Sequence, residues 1–294
     1  MPAETHELRA GKLFSVQDYV CVVTGGGTGI GLMAAQALAA NGAKVYITGR
    51  RAEVLEKASK WHDPNGGTGS IIASVTTDVT SKDDLEKLVD YISSKEKHVD
   101  LLITAAGISG PKAEPDTKDA KDLKAKLWDN ESFEDWNKTM TTDVSAVYFT
   151  TVAFLPLLQA GSNVKGHLTA SVIVISSMSG IMRHAQGHFS YNAAKGGTVH
   201  LTKLMSAEFQ KAKIRVNSIA PGYFPSEMTT NESGKDNKSE IPDEKIQEKG
   251  HVPAGRPGED EEMAMAVLFL ARNNYVNGEI LAIDGGVLNV VGGR

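Results

Sequence analysis

The sequence predicts a doubly wound α/β fold: one domain, with a parallel sheet of about seven strands and helices on both faces. Three observations carry this. Short β-branched runs alternate with helical patterns along most of the chain, the order that β-α-β units require. A glycine-rich segment, Gly25 to Gly31, sits at the first strand-to-helix turn. The run Ser171-Val172-Ile173-Val174-Ile175 has the continuous β-branched character of a central strand covered on both sides.

In chain order, residues 1–17 form an N-terminal extension, poorly ordered or wrapped on the surface, and the domain proper spans 18–294. Residues 19–24 read as a buried strand. Gly25-Gly26-Gly27-Thr28-Gly29-Ile30-Gly31 then opens an Ala- and Leu-rich helix that stops at Asn41-Gly42. Residues 44–48 form the second strand, completing a βαβ unit. Its glycines let the backbone approach a pyrophosphate, and the helix N-terminus offers N–H groups to the charge. A glycine-rich turn without a ligand is the competing reading.

The second strand ends Thr48-Gly49-Arg50-Arg51. A site for NAD would place an acidic residue here, to hold the ribose hydroxyls. None is present. Arg50 and Arg51 instead offer guanidinium forks to a 2′-phosphate. As plain residues at a helix N-terminus they would oppose its dipole. NADP(H) is therefore preferred over NAD(H).

Helical patterning covers 53–60 and a loop follows at 62–67. Residues 71–76 are the third strand, followed by Asp78-Val79. A helix spans 83–93, and a fourth strand spans 100–104 before Ala105-Ala106-Gly107. Residues 110–132 are dense in Lys and Asp and read as a solvated insertion beside the carboxyl end of the sheet, a passive loop rather than a substrate gate. Residues 133–159 are helical, with Pro156 near the far end. The fifth strand ends at Ser176-Ser177, and Tyr191 opens a helix reaching 212. Residues 214–219 are the sixth strand, ending Ala220-Pro221-Gly222. The long, polar stretch 225–258 reads as a mobile substrate lid. An amphipathic helix at 259–272 precedes a last strand and the turn Asp284-Gly285-Gly286.

Tyr191 and Lys195 stand four residues apart, so one helix face carries both. The ammonium is expected to draw the phenol down from its usual value of about 10. A tyrosine so tuned trades a proton with a substrate oxygen near neutral pH. Ser177 can hydrogen-bond the same oxygen. An ordinary exposed Tyr–Lys pair is the alternative for this motif taken alone.

Thr24-Gly25-x-x-x-Gly29-x-Gly31 and Ser177…Tyr191-x-x-x-Lys195 together resemble the signatures of the classical short-chain dehydrogenases/reductases. The resemblance runs from about residue 18 to 287 and implies a Rossmann-type three-layer domain. It implies reversible hydride transfer between a nicotinamide and a carbonyl or secondary alcohol of a small organic substrate. Tyr191 would be the general acid, Ser177 would polarise the oxygen, and Lys195 would also bind the nicotinamide ribose. Ser177 is preferred over Ser176 and Ser179 by its alignment before Gly180. The family's Asn falls at Asp143, which is carried as a catalytic candidate, able to accept from a relay water and to alter Lys195.

For the cofactor, the resemblance implies contacts from Gly25, Gly27, Thr28, Gly29, Ile30 and Gly31. Thr28 stands where many NADP-preferring relatives carry a basic residue. Asp78 and Val79 would flank the adenine, although Asp78 equally well just begins a turn. Ala105, Ala106 and Gly107 replace the family's Asn-Asn-Ala-Gly, which puts some hydrogen bonds in doubt. Pro221, Gly222, Phe224 and Ser226 would cover the nicotinamide. The family commonly assembles as homodimers or homotetramers through helices near 133–160 and 191–212.

Composition narrows the class further. A net charge of −5 argues against a nucleic-acid partner. The single cysteine, Cys21, suits a reducing compartment, and the charged N-terminus shows no signal peptide. No apolar run approaches the roughly 18 residues that a membrane span needs. A cytoplasmic protein is expected. His184 and His188 lack metal-site spacing and line the pocket mouth or cap a loop; no metal is expected. Three other functions stay open: reduction of an activated C=C or C=N bond, a non-catalytic NADP(H)-binding module, and a structural scaffold.

Overall fold

The computed structural model describes residues 4–64, 69–165, 169–230 and 232–291. Seven strands form one parallel sheet: β1 (Val20–Thr24), β2 (Lys44–Thr48), β3 (Ser70–Ala73), β4 (Leu101–Thr104), β5 (Ala170–Ile175), β6 (Ile214–Pro221) and β7 (Ile280–Ile283). Their order is β3-β2-β1-β4-β5-β6-β7. The winding reverses between β1 and β4, so a crevice opens beyond their carboxyl ends.

The strands are apolar because both faces are covered. Cys21 and Val23 of β1, Leu101 and Ile103 of β4, and Ile173 of β5 point to one face. Helices α1 (Gly29–Ala40) and, near the C-terminus, Asp260–Arg272 pack there. Val20, Val22, Leu102, Val172 and Val174 point to the other. That face is closed by α3 (Lys82–Ser93) and by the helices Ala146–Lys165 and Phe189–Phe209; between α1 and α3 lies α2 (Ala52–His62). Alternation by twos sends successive side chains into different cores.

Several boundaries depart from the sequence expectation. The third strand is shorter, ending at Ala73, because Ser74 and Thr77 turn their hydroxyls onto backbone and onto Thr48. The loop expected at 62–67 falls partly outside the described residues. The insertion is not simply a loop. It contains α4 (Ala120–Trp128), whose N-cap Asp119 accepts from the Lys121 and Asp122 amides. The helix expected over 133–159 is built in three parts: α5 (Phe133–Met140), a π-helical turn at Thr141–Ser145, and α6 (Ala146–Lys165). Pro156 lies inside α6. It removes one backbone bond, and burial of Leu158, Gly161 and Ser162 carries the helix past it.

By length and composition, the stretch Phe133–Lys165 also meets the test for a membrane span, contrary to the sequence reading. Phe154 and Leu158 explain its apolarity without a membrane: both are fully buried against the sheet. The catalytic-motif helix α7 (Phe189–Phe209) begins two residues before Tyr191. The last long helix is α8 (Asp260–Arg272). The N-terminal segment adds two helical turns, Thr5–Leu8 and Ala10–Leu13, and the Leu13 carbonyl is held by Arg272.

Arg215 of β6 ties the sheet to the end of α8. Its buried guanidinium donates to the carbonyls of Leu270, Ala271 and Val276. Burial pushes its pKa down to about 10. These carbonyls belong to the helix C-terminus and the turn beyond it, where partners are scarce. Arg215→Met is expected to destabilise the protein by on the order of 3 kcal/mol, measured by urea unfolding. An unchanged midpoint would contradict this role.

Candidate active site

Beyond β1 the chain makes its tightest turn. Gly25 has a φ of +66°, and a Cβ there would lie 2.8 Å from the Ala106 amide nitrogen. A Cβ on Gly31 would lie 2.2 Å from the Gly25 carbonyl oxygen. Only glycine fits either place. Thr28 caps α1 without a side-chain hydrogen bond, so the amides of the first turn keep their pull on an anion. Gly27 and Gly29 continue this cradle, and Ile30 turns partly into the core. The residues therefore fit a dinucleotide phosphate at this end of the sheet.

The opposite wall is Ala105, Ala106 and Gly107 after β4. The Thr24 hydroxyl accepts from the Ala105 and Ala106 amides at 3.2 and 3.4 Å. Asp78 accepts from both the amide and the hydroxyl of Thr80, as a turn-forming aspartate does. Those bonds hold its pKa below the ordinary value, with a smaller contribution from Arg50. Val79 follows, half-buried.

Arg50 and Arg51 are exposed after β2. Arg51 is already engaged: both terminal nitrogens reach the Glu227 carboxylate, at 2.7 and 3.3 Å. Glu227 belongs to the segment 225–258, and the sequence reading missed it. Nearby Asn237 donates to the Gly27 and Val54 carbonyls, clasping the glycine turn from the same segment. Ser226 packs on Gly29, where a Cβ would be 2.8 Å away. Gly222 lies against Asp284, and Pro221 ends β6. The Phe224 ring is 3 % exposed, stacks on Gly258 and belongs to the core.

The Ser177 turn and the helix that carries Tyr191 and Lys195 meet at the end of β5. Ser176 is used by the sheet, with its hydroxyl donating to the Ile219 carbonyl and accepting from Ser218. The Ser177 hydroxyl accepts from the Ser179 amide at 3.1 Å, within the short 3-10 turn Met178–Gly180. That turn packs on α7 because Gly180 has no side chain: a Cβ would lie 2.4 Å from the Lys195 carbonyl carbon.

Lys195 is 5 % exposed. Its ammonium donates to the Ile175 carbonyl at 3.1 Å, stands 3.8 Å from the Asp143 carboxylate and lies 5.6 Å from the centre of the Tyr191 ring. Asp143 is fully buried in the π-helical turn, a geometry that recurs at functional sites. One of its carboxylate oxygens accepts from the Ile108 amide at 2.9 Å; the other has no hydrogen-bond partner. Its backbone carbonyl accepts from Thr198. Burial raises the Asp143 pKa, with Lys195 opposing. For Lys195, burial pulls down, but Asp143 and then Tyr191 outweigh it and leave the pKa raised. The pair is buried, and one Asp143 oxygen is left without a hydrogen bond.

His184 caps its loop, receiving the Asn192 side chain on its carbonyl. His188 precedes α7; its pKa is lowered by burial first and by Lys112 second. Among the described residues no group of three or more His, Cys, Asp or Glu is placed to hold a metal ion. A cavity of about 1010 Å³ is lined by Leu13, Lys213, Arg272 and Tyr275 at the amino end of the sheet, away from this chemistry. A smaller one, of about 210 Å³, touches Tyr223, Val252 and Asp284 beside the Pro221-Gly222 turn.

Comparison with known proteins agrees with this geometry. Residues 25–288 match a family described as enoyl-(acyl carrier protein) reductase. The chain is 40 % identical to the short-chain dehydrogenase/reductase PhomF of Diaporthe leptostromiformis, with 97 % of each chain covered. It is 34 % identical to the 3-oxoacyl-[acyl-carrier-protein] reductase FabG of Chlamydia muridarum, over 90 % of this chain and 96 % of that one. The RhlG/NADP active-site complex of Pseudomonas aeruginosa superposes with a TM-score of 0.75 at 29 % identity, covering 94 % of this chain and 98 % of that one.

Proposed function

The chain belongs to the short-chain dehydrogenase/reductase family and is an oxidoreductase of that type; from this premise we propose that it is an NADP(H)-dependent reductase of a carbonyl on a small organic substrate, acting reversibly on the secondary alcohol. The observation that supports this most is the Lys195 ammonium, buried and 5.6 Å from the centre of the Tyr191 ring, on a helix packed against the Ser177 turn. When bound, the nicotinamide supplies the hydride or receives it. Tyr191 delivers the proton to the developing alkoxide, and Ser177 donates a hydrogen bond to the same oxygen. Lys195 keeps positive charge beside the phenol, which favours the phenolate left after proton transfer. The amides at the start of α1 and the glycine turn hold the pyrophosphate.

NADP(H) is the proposed cofactor because Arg51 already grips an oxyanion. Glu227 occupies the fork that a 2′-phosphate would use. The NADP in the RhlG complex accords with this choice. The description of the matching family supports a second reading, reduction of an activated C=C bond on the same scaffold. Products from paired ketones and enones separate the two. Assembly as a homodimer or homotetramer is also proposed, through α6 and α7, where Tyr148, Phe149 and Leu204 are exposed. A cytoplasmic location suits the buried Cys21 thiol, whose pKa burial raises well above the ordinary thiol range.

Tyr191→Phe should lower carbonyl reduction by about 10²–10⁴-fold. A near-native rate would reject the proton-donor role. Arg51→Ala should raise the KM for NADPH about tenfold and leave that for NADH within about twofold. Glu227→Gln, which frees the fork, should lower the KM for NADPH; tighter binding of NADH than NADPH by the native protein would overturn the assignment. Asp143→Asn tests the charge beside Lys195. Without the carboxylate, Lys195 loses what outweighs its burial. The basic limb of the pH profile for alcohol oxidation should move to lower pH. A basic limb at unchanged or higher pH would contradict the pairing.

A further inference from the structure

A line of polar side chains leaves the Ser177 turn and ends in the lid. Starting from the lid, the His251 Nδ1 lies 2.8 Å from the Lys249 carbonyl oxygen. A carbonyl only accepts, so the ring proton sits on Nδ1 and Nε2 is an acceptor. The Tyr223 hydroxyl, 3.0 Å from that Nε2, therefore donates to it. The Tyr223 oxygen in turn accepts from the Gln186 side-chain nitrogen at 2.6 Å. The Gln186 side-chain oxygen accepts from the Ser179 hydroxyl at 3.2 Å. The Ser179 amide then donates to the Ser177 hydroxyl oxygen. The directions follow from the first as far as the Ser179 hydroxyl; the Ser179 amide donates to Ser177 in any case, and that leaves the Ser177 O–H as a donor.

Other features point the same way. Gln186 is not a glycine, yet its φ is +53°, a strained backbone that persists only where the surroundings hold it. The Lys249 ammonium lies 4.6 Å from the centre of the Tyr223 ring, adding a second contact between lid and turn. Burial raises the Tyr223 pKa, with Gln186 opposing, so the phenol keeps the proton that it donates.

We propose that Gln186, Tyr223 and His251 form a latch that ties the lid to the catalytic turn and, by holding the Ser179 hydroxyl, keeps the Ser179 amide on Ser177 so that the Ser177 O–H stays aimed at the substrate oxygen. The inference rests on the carbonyl-reducing role proposed for Ser177. These three are positioning residues, acting on Ser177 through Ser179.

Tyr223→Phe keeps the ring and deletes only the hydroxyl. In the full-length protein it should lower kcat for carbonyl reduction about tenfold, with the KM for NADPH unchanged. In a Ser177→Ala background it should cause no further loss of the residual rate, since the latch acts through that hydroxyl. Amide hydrogen exchange should quicken at Ser179 and across 249–252. A native kcat, an equal loss in the Ser177→Ala background, or unchanged exchange would overturn the latch. Should the protein reduce no ketone at all, the functional reading fails while the exchange measurement alone decides the latch: faster exchange at Ser179 upholds it and unchanged exchange removes it.

Discussion

A lysine ammonium with almost no access to water has to be held by something, and here the holders also set the chemistry. Lys195 rests between the Ile175 carbonyl and the Asp143 carboxylate, with the Tyr191 ring beside it. Removing either charge would leave the other buried alone, which is strongly unfavourable. The pair therefore locks three elements together: the end of β5, the π-helical turn before α6 and the first turns of α7. The proposed proton chemistry uses the same charge that the packing requires. A carboxylate where the family usually has a neutral amide makes this ammonium less dominant than it would otherwise be, since part of its field ends on Asp143.

The sheet was legible because it is buried on both faces. Val22, Ile103 and Val174 sit in runs with no polar alternation, and such runs leave little freedom in where a strand lies. The glycine turn was legible because Gly25 and Gly31 answer to backbone atoms at 2.8 and 2.2 Å, a demand that shows in the residue type itself. Helix α4 was not read, although Asp119 offered a cap, because its charged surface resembles a solvated loop. The π-helical turn left no signature at all: one extra residue per turn changes no periodicity over so short a span.

The segment 225–258 meets the glycine turn and the Ser177 turn with different chemistry. Toward the glycine turn it places Glu227 on Arg51 and Asn237 on Gly27. Toward the catalytic turn it places His251 on Tyr223. None of these residues lies in a motif, and their partners are 28 to 210 residues away in sequence. Long-range pairing of ordinary polar residues is invisible to periodicity, which explains why 225–258 reads from sequence only as a long polar stretch. The insertion closes the remaining side: the Ala113 amide donates to the Gly187 carbonyl, next to Gln186. Substrate selection would then depend on two segments that lie outside the sheet.

The most direct measurement is a crystal structure of the protein with NADP and a bound ketone or alcohol. The account predicts the substrate oxygen within about 2.6–3.2 Å of both the Tyr191 and the Ser177 hydroxyls, with the Lys195 ammonium still beside the phenol ring. A substrate oxygen turned toward other groups, with the Tyr191 hydroxyl facing away from the crevice in the closed complex, would contradict it.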